Sequence, residues 1–202
     1  MPIRLLIFDI DGVLLKSKKL HEISLIMALR HYGYDISTEY HKEHLDGLPT
    51  KMKLEKLNIP KNIRNEIFDL KQKYTMEQAD QHLARNKDVR SIFQKIHADG
   101  YKIAVASNAI KDFCALTIDI LEIGEYVNTI MSNEDVSEPK PSPEIYVKIM
   151  NSFQCAASET LIFEDSKVGL AAAFSSGANV FIVEDTKDIT IESIQRKIRS
   201  LN

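Results

Sequence analysis

Short apolar runs recur along this chain: Ile3–Phe8, then YKIAVAS (Tyr101–Ser107), VNTIMS (Val127–Ser132), TLIFEDS (Thr160–Ser166) and NVFIV (Asn179–Val183). They lack the polar alternation of a half-exposed strand, so strands built from them must be covered on both faces. Helical patterns lie between them. Val89, Ile92, Phe93 and Ile96 have helical spacing, with Gly100 as a stop. Ser142-Pro143-Glu144 places a cap residue before a proline, opening a helix that carries Ile145, Ile149 and Met150. An alanine-rich stretch, Val168–Ser175, ends at Gly177. Strands alternating with helices imply an α/β fold, a Rossmann-like parallel sheet with helices on both faces.

The stretch from Leu20 to Arg85 breaks this rhythm. It shows helical patterns at Leu20–Tyr32, Glu39–Leu45, Lys51–Leu57 and from Lys61 to about Leu83, with no convincing strand. We therefore expect a small helical cap domain over 17–85, inserted into a core made of 1–16 and 86–202, with hinges near Lys16–Lys19 and Arg85–Asp88.

Composition narrows the function. The chain has 202 residues, 44% of them hydrophobic, and a formal net charge of -3. That charge gives no electrostatic footprint for nucleic acid. No apolar run approaches the roughly 18 residues that span a bilayer, and the N-terminus reads poorly as a signal peptide. Cys114 and Cys155 sit among apolar neighbours, which suits buried free thiols rather than a disulfide framework. The expectation is a cytoplasmic protein with no nucleic-acid or membrane partner. Nothing in the sequence sets the oligomeric state, and a monomer is plausible.

In an open parallel sheet, ligands bind beyond the carboxyl ends of the strands. The first run ends in Asp9 and Asp11, two residues apart and expected on one face of a strand. Another ends in Ser107-Asn108, and TLIF runs into Glu164-Asp165-Ser166. Lys140 stands between Pro139 and Pro141, which restrict the backbone beside it. Singly, each has an ordinary explanation: a solvated turn, a cap, a surface lysine, a helix N-terminus. In this order and at strand ends they make one site. Clustered carboxylates suit a hard cation such as Mg2+. An aspartate there can attack phosphorus, and a second carboxylate can protonate the leaving oxygen. A lysine and a hydroxyl can hold phosphoryl oxygens.

With these residues in view, the chain resembles the haloacid dehalogenase-like superfamily, in the branch with a helical cap inserted after the first motif. FDIDGVL looks like its first motif, VASNA its second, KPSPEIY its third and IFEDSKVGLAAAFSSGA its fourth. The resemblance implies Asp9 as nucleophile and metal ligand, forming an aspartyl-phosphate. It implies Asp11 as general acid and base, with its backbone carbonyl on the metal. Ser107 and the Asn108 N–H would hold the phosphoryl group, Lys140 would neutralise Asp9 and the phosphate, and Asp165 would bind Mg2+, with Glu164 as a ligand or a group just behind it. Members that displace halide lack the second aspartate, so Asp11 points to phosphoryl transfer.

Several positions depart from or test that pattern. Lys16 stands where the family usually has an acid. In the cap loop LDGLPT, Thr50 stands where the mutases of this branch carry an arginine for a distal phosphate; Lys51 is next to it, and Asp46 replaces another basic residue. His21 matches a cap-hinge histidine. The expected function is a Mg2+-dependent phosphatase of a small cytosolic phosphomonoester, with a small phosphorylated metabolite as partner. The alternatives are a phosphosugar mutase resembling beta-phosphoglucomutase and, less favoured, a non-enzymatic binding protein on the same fold.

Overall fold

The computed structural model describes residues 2–82, 84–85 and 88–201. The strands are β1 (Leu5–Phe8), β2 (Leu15–Lys16), β3 (Ala84–Arg85), β4 (Lys102–Ala106), β5 (Thr129–Met131), β6 (Thr160–Glu164) and β7 (Asn179–Ile182). The α-helices are α1 (Lys18–His31), α2 (Thr38–His44), α3 (Thr50–Lys56), α4 (Arg64–His82), α5 (Val89–Ala98), α6 (Lys111–Leu121), α7 (Glu144–Ser152), α8 (Lys167–Ser175) and α9 (Ile191–Leu201).

The chain divides into two compact units, residues 1–16 with 85–202, and residues 17–84. The first is built on a five-stranded sheet in the order β5-β4-β1-β6-β7. Every pairing in it is parallel, with Phe8 opposite Val105 on one side and Phe163 on the other. Both faces are covered, as the unbroken apolar runs require. Leu5 and Ile7 join Ile145, Tyr146 and Ile149 of α7 and Ala172 and Ala173 of α8 in one core cluster. Phe8 instead meets Phe93 of α5, ring centroids 4.9 Å apart, and stacks on Phe163 at 4.3 Å. Alternate residues of one strand thus feed opposite layers.

Boundaries shift where local chemistry decides them. α7 begins at Glu144, one residue later than the Ser-Pro signal suggests, and Ser142 Oγ accepts from the Glu144 N–H at 3.3 Å. Gly100 and Gly177 end α5 and α8 at φ 88° and 78°, backbone that glycine adopts without penalty. Two strands escaped the sequence reading: β2 and β3 form a separate two-stranded sheet, each only two residues long and too short to leave a pattern. Part of the second expected hinge, 86–87, lies outside the described residues.

The second unit is helical and has its own core of Leu25, Ala28, Leu29, Leu45, Leu54, Ile59 and Ile67. Both cysteines are buried free thiols. Among the described residues, no helix is long and apolar enough to cross a membrane.

Candidate active site

β1 is central, and the chain winds from it through β4 to β5, then crosses to β6 and β7. The winding reverses between β1 and β6, so ligand-binding loops are expected beyond their carboxyl ends. Asp9 follows β1 directly, its N–H donating to Phe163 O at 3.0 Å. Ser107 follows β4, its N–H donating to Met131 O at 3.0 Å. Glu164 is the last residue of β6, and Asp165 comes next.

Lys140 ties these ends together. Its Nζ donates to Asp9 Oδ1 at 2.7 Å, Glu164 Oε2 at 2.8 Å and Ala106 O at 3.0 Å. All three of its N–H bonds are therefore used. The lysine is 2% exposed, against an ordinary expectation of a surface position. Its backbone is pinned as well: Asn108 Nδ2 donates to Lys140 O at 3.1 Å and Lys140 N donates to Asn108 Oδ1 at 3.0 Å. Asn108 was expected to contribute only its N–H; its side chain locks the lysine loop, a long-range bond that no local pattern announces. Ser107 is fully buried, and its Oγ accepts from the Ala109 N–H at 3.0 Å.

Asp9 and Asp11 do not share a strand face, because β1 stops at Phe8. A tight turn places Asp11 instead. Ile10 O accepts from the N–H groups of Val13, Leu14 and Leu15 at 3.3, 3.0 and 3.1 Å, and Gly12 takes φ 93°. Turn chemistry overrides strand alternation here. The two acids still repel across this short separation, since Asp11 raises the pKa of Asp9.

Burial, then the Glu164 carboxylate, push the Asp9 carboxyl well above the usual range; Lys140 opposes this, while Asp11 and Asp165 add to it. For Lys140, burial works against the ammonium, but Asp9 and Glu164 outweigh it and hold its pKa well above the ordinary value. Burial also opposes the charge of Glu164, and Lys140, Tyr146 and the Ser166 N–H overcome it, keeping that carboxyl below its usual value. One ammonium thus faces several carboxylates. Asp9, Glu164 and Asp165 can each offer an oxygen within 4.8 Å of the others. A hard, oxygen-ligated cation suits such clustered carboxylates, Asp9 and Asp165 above all, and it would offset the charge that Lys140 leaves unbalanced.

Tyr146 escaped the sequence reading although it lies inside KPSPEIY. Its O–H donates to Glu164 Oε2 at 2.7 Å, and Lys140 Nζ lies 4.9 Å from the centre of its ring. It is fully buried. The available signal was general: a buried tyrosine needs a partner for its hydroxyl. Lys16, at the position of the usual acid, pairs with Asp185 at 2.6 Å.

The helical unit places its own residues separately. His21 Nδ1 and Lys71 Nζ are 3.1 Å apart. Thr50 is buried at the start of α3, and Lys51 Nζ stands 5.4 Å from the centre of the Phe68 ring. Lys53 and His41, both buried and neither anticipated, meet at 3.3 Å.

The family model for haloacid dehalogenase-like hydrolases matches residues 6–183. A phosphorylated carbohydrates phosphatase of Thermotoga maritima is 26% identical over 177 residues, spanning 85% of this chain and 80% of that protein. A phosphoglycolate phosphatase of Aquifex aeolicus is 24% identical over 177 residues, spanning 86% of this chain and 81% of that protein. In fold, the chain is similar to the crystal structure of beta-phosphoglucomutase from Clostridium difficile, with a TM-score of 0.84, 19% identity and 98% of each chain covered. CbbY from Rhodobacter sphaeroides, solved with phosphate, gives 0.77 at 21% identity, covering 89% of this chain and 85% of that one. With the family model spanning most of the chain, this protein belongs to the haloacid dehalogenase-like hydrolases and is an enzyme of that family.

Proposed function

We propose that the protein is a Mg2+-dependent phosphatase of a small cytoplasmic phosphomonoester, working through an aspartyl-phosphate on Asp9. The observation that carries this reading is the buried Asp9 held against Lys140 at the switch point of the sheet. Asp9 Oδ attacks phosphorus, and the bond from phosphorus to the leaving oxygen breaks as Asp11 gives that oxygen its proton. Asp11 then takes a proton from water, whose oxygen attacks the phosphoryl group; inorganic phosphate leaves and Asp9 is free again. Ser107, the Asn108 N–H and Lys140 hold the phosphoryl oxygens, whose charge must be carried through both transition states. Asp9, Asp165 and the Asp11 carbonyl would hold Mg2+. When bound, the ion supplies positive charge against the carboxylates and the phosphoryl oxygens.

Residues of the helical unit, among them His21, Thr50 and Lys51, would read the rest of the substrate. The mutase reading shares Asp9 but needs a clamp for a second phosphate. Thr50 has no charge to offer, and a lysine does not reproduce the bidentate grip of arginine. The cytoplasmic assignment rests on the two free thiols.

The test is phosphate release from sugar phosphates, nucleotides and short phosphorylated acids, with and without Mg2+. Release from at least one class, abolished by chelation, supports the reading. Incubation with beta-glucose 1-phosphate and a trace of the bisphosphate separates the mutase: glucose 6-phosphate forming faster than inorganic phosphate would overturn the phosphatase.

A further inference from the structure

The Glu164 carboxylate is enclosed by its own chain to an unusual degree. Oε1 accepts from the Asp165 N–H at 3.0 Å, the Ser166 N–H at 3.2 Å and the Ser166 O–H at 3.1 Å. Oε2 accepts from Lys140 Nζ at 2.8 Å and the Tyr146 O–H at 2.7 Å. A carboxylate has about four lone-pair sites. Five donors therefore occupy it, and the residue is fully buried.

The backbone is shaped to admit this arrangement. A Cβ on Gly169, in the first turn of α8, would fall 2.0 Å from the Glu164 carboxyl carbon and 2.1 and 2.3 Å from its oxygens. Only a residue without a side chain leaves that space. Ser166, the N-cap of α8, completes the cradle: its Oγ accepts from the Gly169 N–H at 2.9 Å while its O–H points at Glu164. The carboxylate thus lies over the positive end of α8, at a terminus favourable to an anion.

We propose that Glu164 is a fixed positioning anion and not a metal ligand, and that Tyr146 and Gly169 are the residues that make it so. Held by the tyrosine hydroxyl and the glycine cradle, Glu164 aims the Lys140 ammonium at Asp9. Metal binding is left to Asp9 and Asp165, with the Asp11 carbonyl. This rests on the phosphatase reading for its turnover measurement, but not for its binding measurement.

The experiment compares wild type with Tyr146→Phe, which keeps the ring beside Lys140 and removes only the hydroxyl. Mg2+ alone is titrated into each by calorimetry, and kcat and KM are measured separately. The expected result is a Mg2+ Kd and a KM within about threefold of wild type, with kcat lower by about tenfold, the low end of what loss of a supporting hydrogen bond behind the reacting groups costs in activity. A hydroxyl that competed with the metal for Glu164 would give the opposite: Tyr146→Phe would bind Mg2+ several-fold more tightly. A hydroxyl that oriented Glu164 as a ligand would weaken Mg2+ by tenfold or more when lost. Either shift in Kd overturns the proposal, as does an unchanged kcat.

Gly169→Ala provides the second variant. Its added Cβ must displace the carboxylate, so kcat should fall further than in Tyr146→Phe. Adding Glu164→Asp, whose shorter side chain withdraws the carboxylate from the new Cβ, should restore several-fold of the loss if melting temperatures show both variants folded. No recovery in folded protein counts against the cradle. If wild type binds Mg2+ but turns over no phosphomonoester, the phosphatase reading fails and the Kd comparison still decides the role of Glu164. If wild type binds no Mg2+, both fail.

Discussion

Lys140 Nζ lies 2.7 Å from Asp9 Oδ1, and both side chains are buried. The lysine comes from a loop 131 residues away in sequence and also holds Glu164. Removing it would strand two buried carboxylates. Loss of one partner from a buried pair costs about 3–5 kcal/mol, because the remaining charge is uncompensated. Lys140→Met should therefore lower urea stability by about that amount at pH 7 in metal-free buffer, and should reduce phosphate release by at least about a hundredfold. A variant as stable as wild type would mean that the ammonium is not balancing those charges.

Asp9 itself is in the opposite position. Burial and the Glu164 carboxylate oppose its charge more than Lys140 supports it. Asp9→Asn keeps the shape and removes that charge, so the metal-free protein should melt higher. A gain of about 1 kcal/mol corresponds to roughly 2–4 °C for a chain of this size. Turnover should fall below detection, since an amide is a poor nucleophile. Scanning calorimetry in chelator checks the first outcome and phosphate release the second; a lower melting temperature would refute the charge argument.

Mg2+ should stabilise the wild type by mass action, about 2.7 kcal/mol at a concentration a hundred times its Kd. Asp165→Ala should lose most of that gain, because it deletes a proposed ligand from the cluster with Asp9 and Glu164. Thermal melts with and without Mg2+ read this directly. A full Mg2+ shift in Asp165→Ala would remove Asp165 from the ligand set.

In the helical unit, burial and the Lys53 ammonium lower the pKa of His41 to about 4; His21 adds to this, while Glu22 and Asp46 oppose it. An unfolded histidine titrates near 6.5. The folded value is the lower one, so the unfolded chain takes up the proton first as the pH falls. This stabilising contribution is complete above about pH 6.5 and declines toward pH 4. Melting temperatures at pH 7 and pH 5 should diverge more for wild type than for His41→Gln. Equal divergence would assign the acid sensitivity to other groups.

Much of the fold was legible because its signals are local. A strand covered on both faces must be apolar throughout, and a helix on a sheet must show its period, so the runs at Ile3–Phe8 and Thr160–Ser166 and the stripe from Val89 to Ile96 declare themselves. The acids at the strand ends were legible too, because a parallel sheet puts its functional loops at one edge. Local patterns therefore specify the order of the elements and the inventory of reactive groups. Tertiary structure decided how those groups meet. The turn on the Ile10 carbonyl, not strand alternation, sets Asp11. The Asn108 amide fixes Lys140 across 32 residues, and Tyr146 reaches Glu164 across 18. Gly169 leaves room for a carboxylate only because α8 packs where it does. Hydrogen bonds and buried charges act over a few ångströms of space, and sequence separation carries no record of that distance.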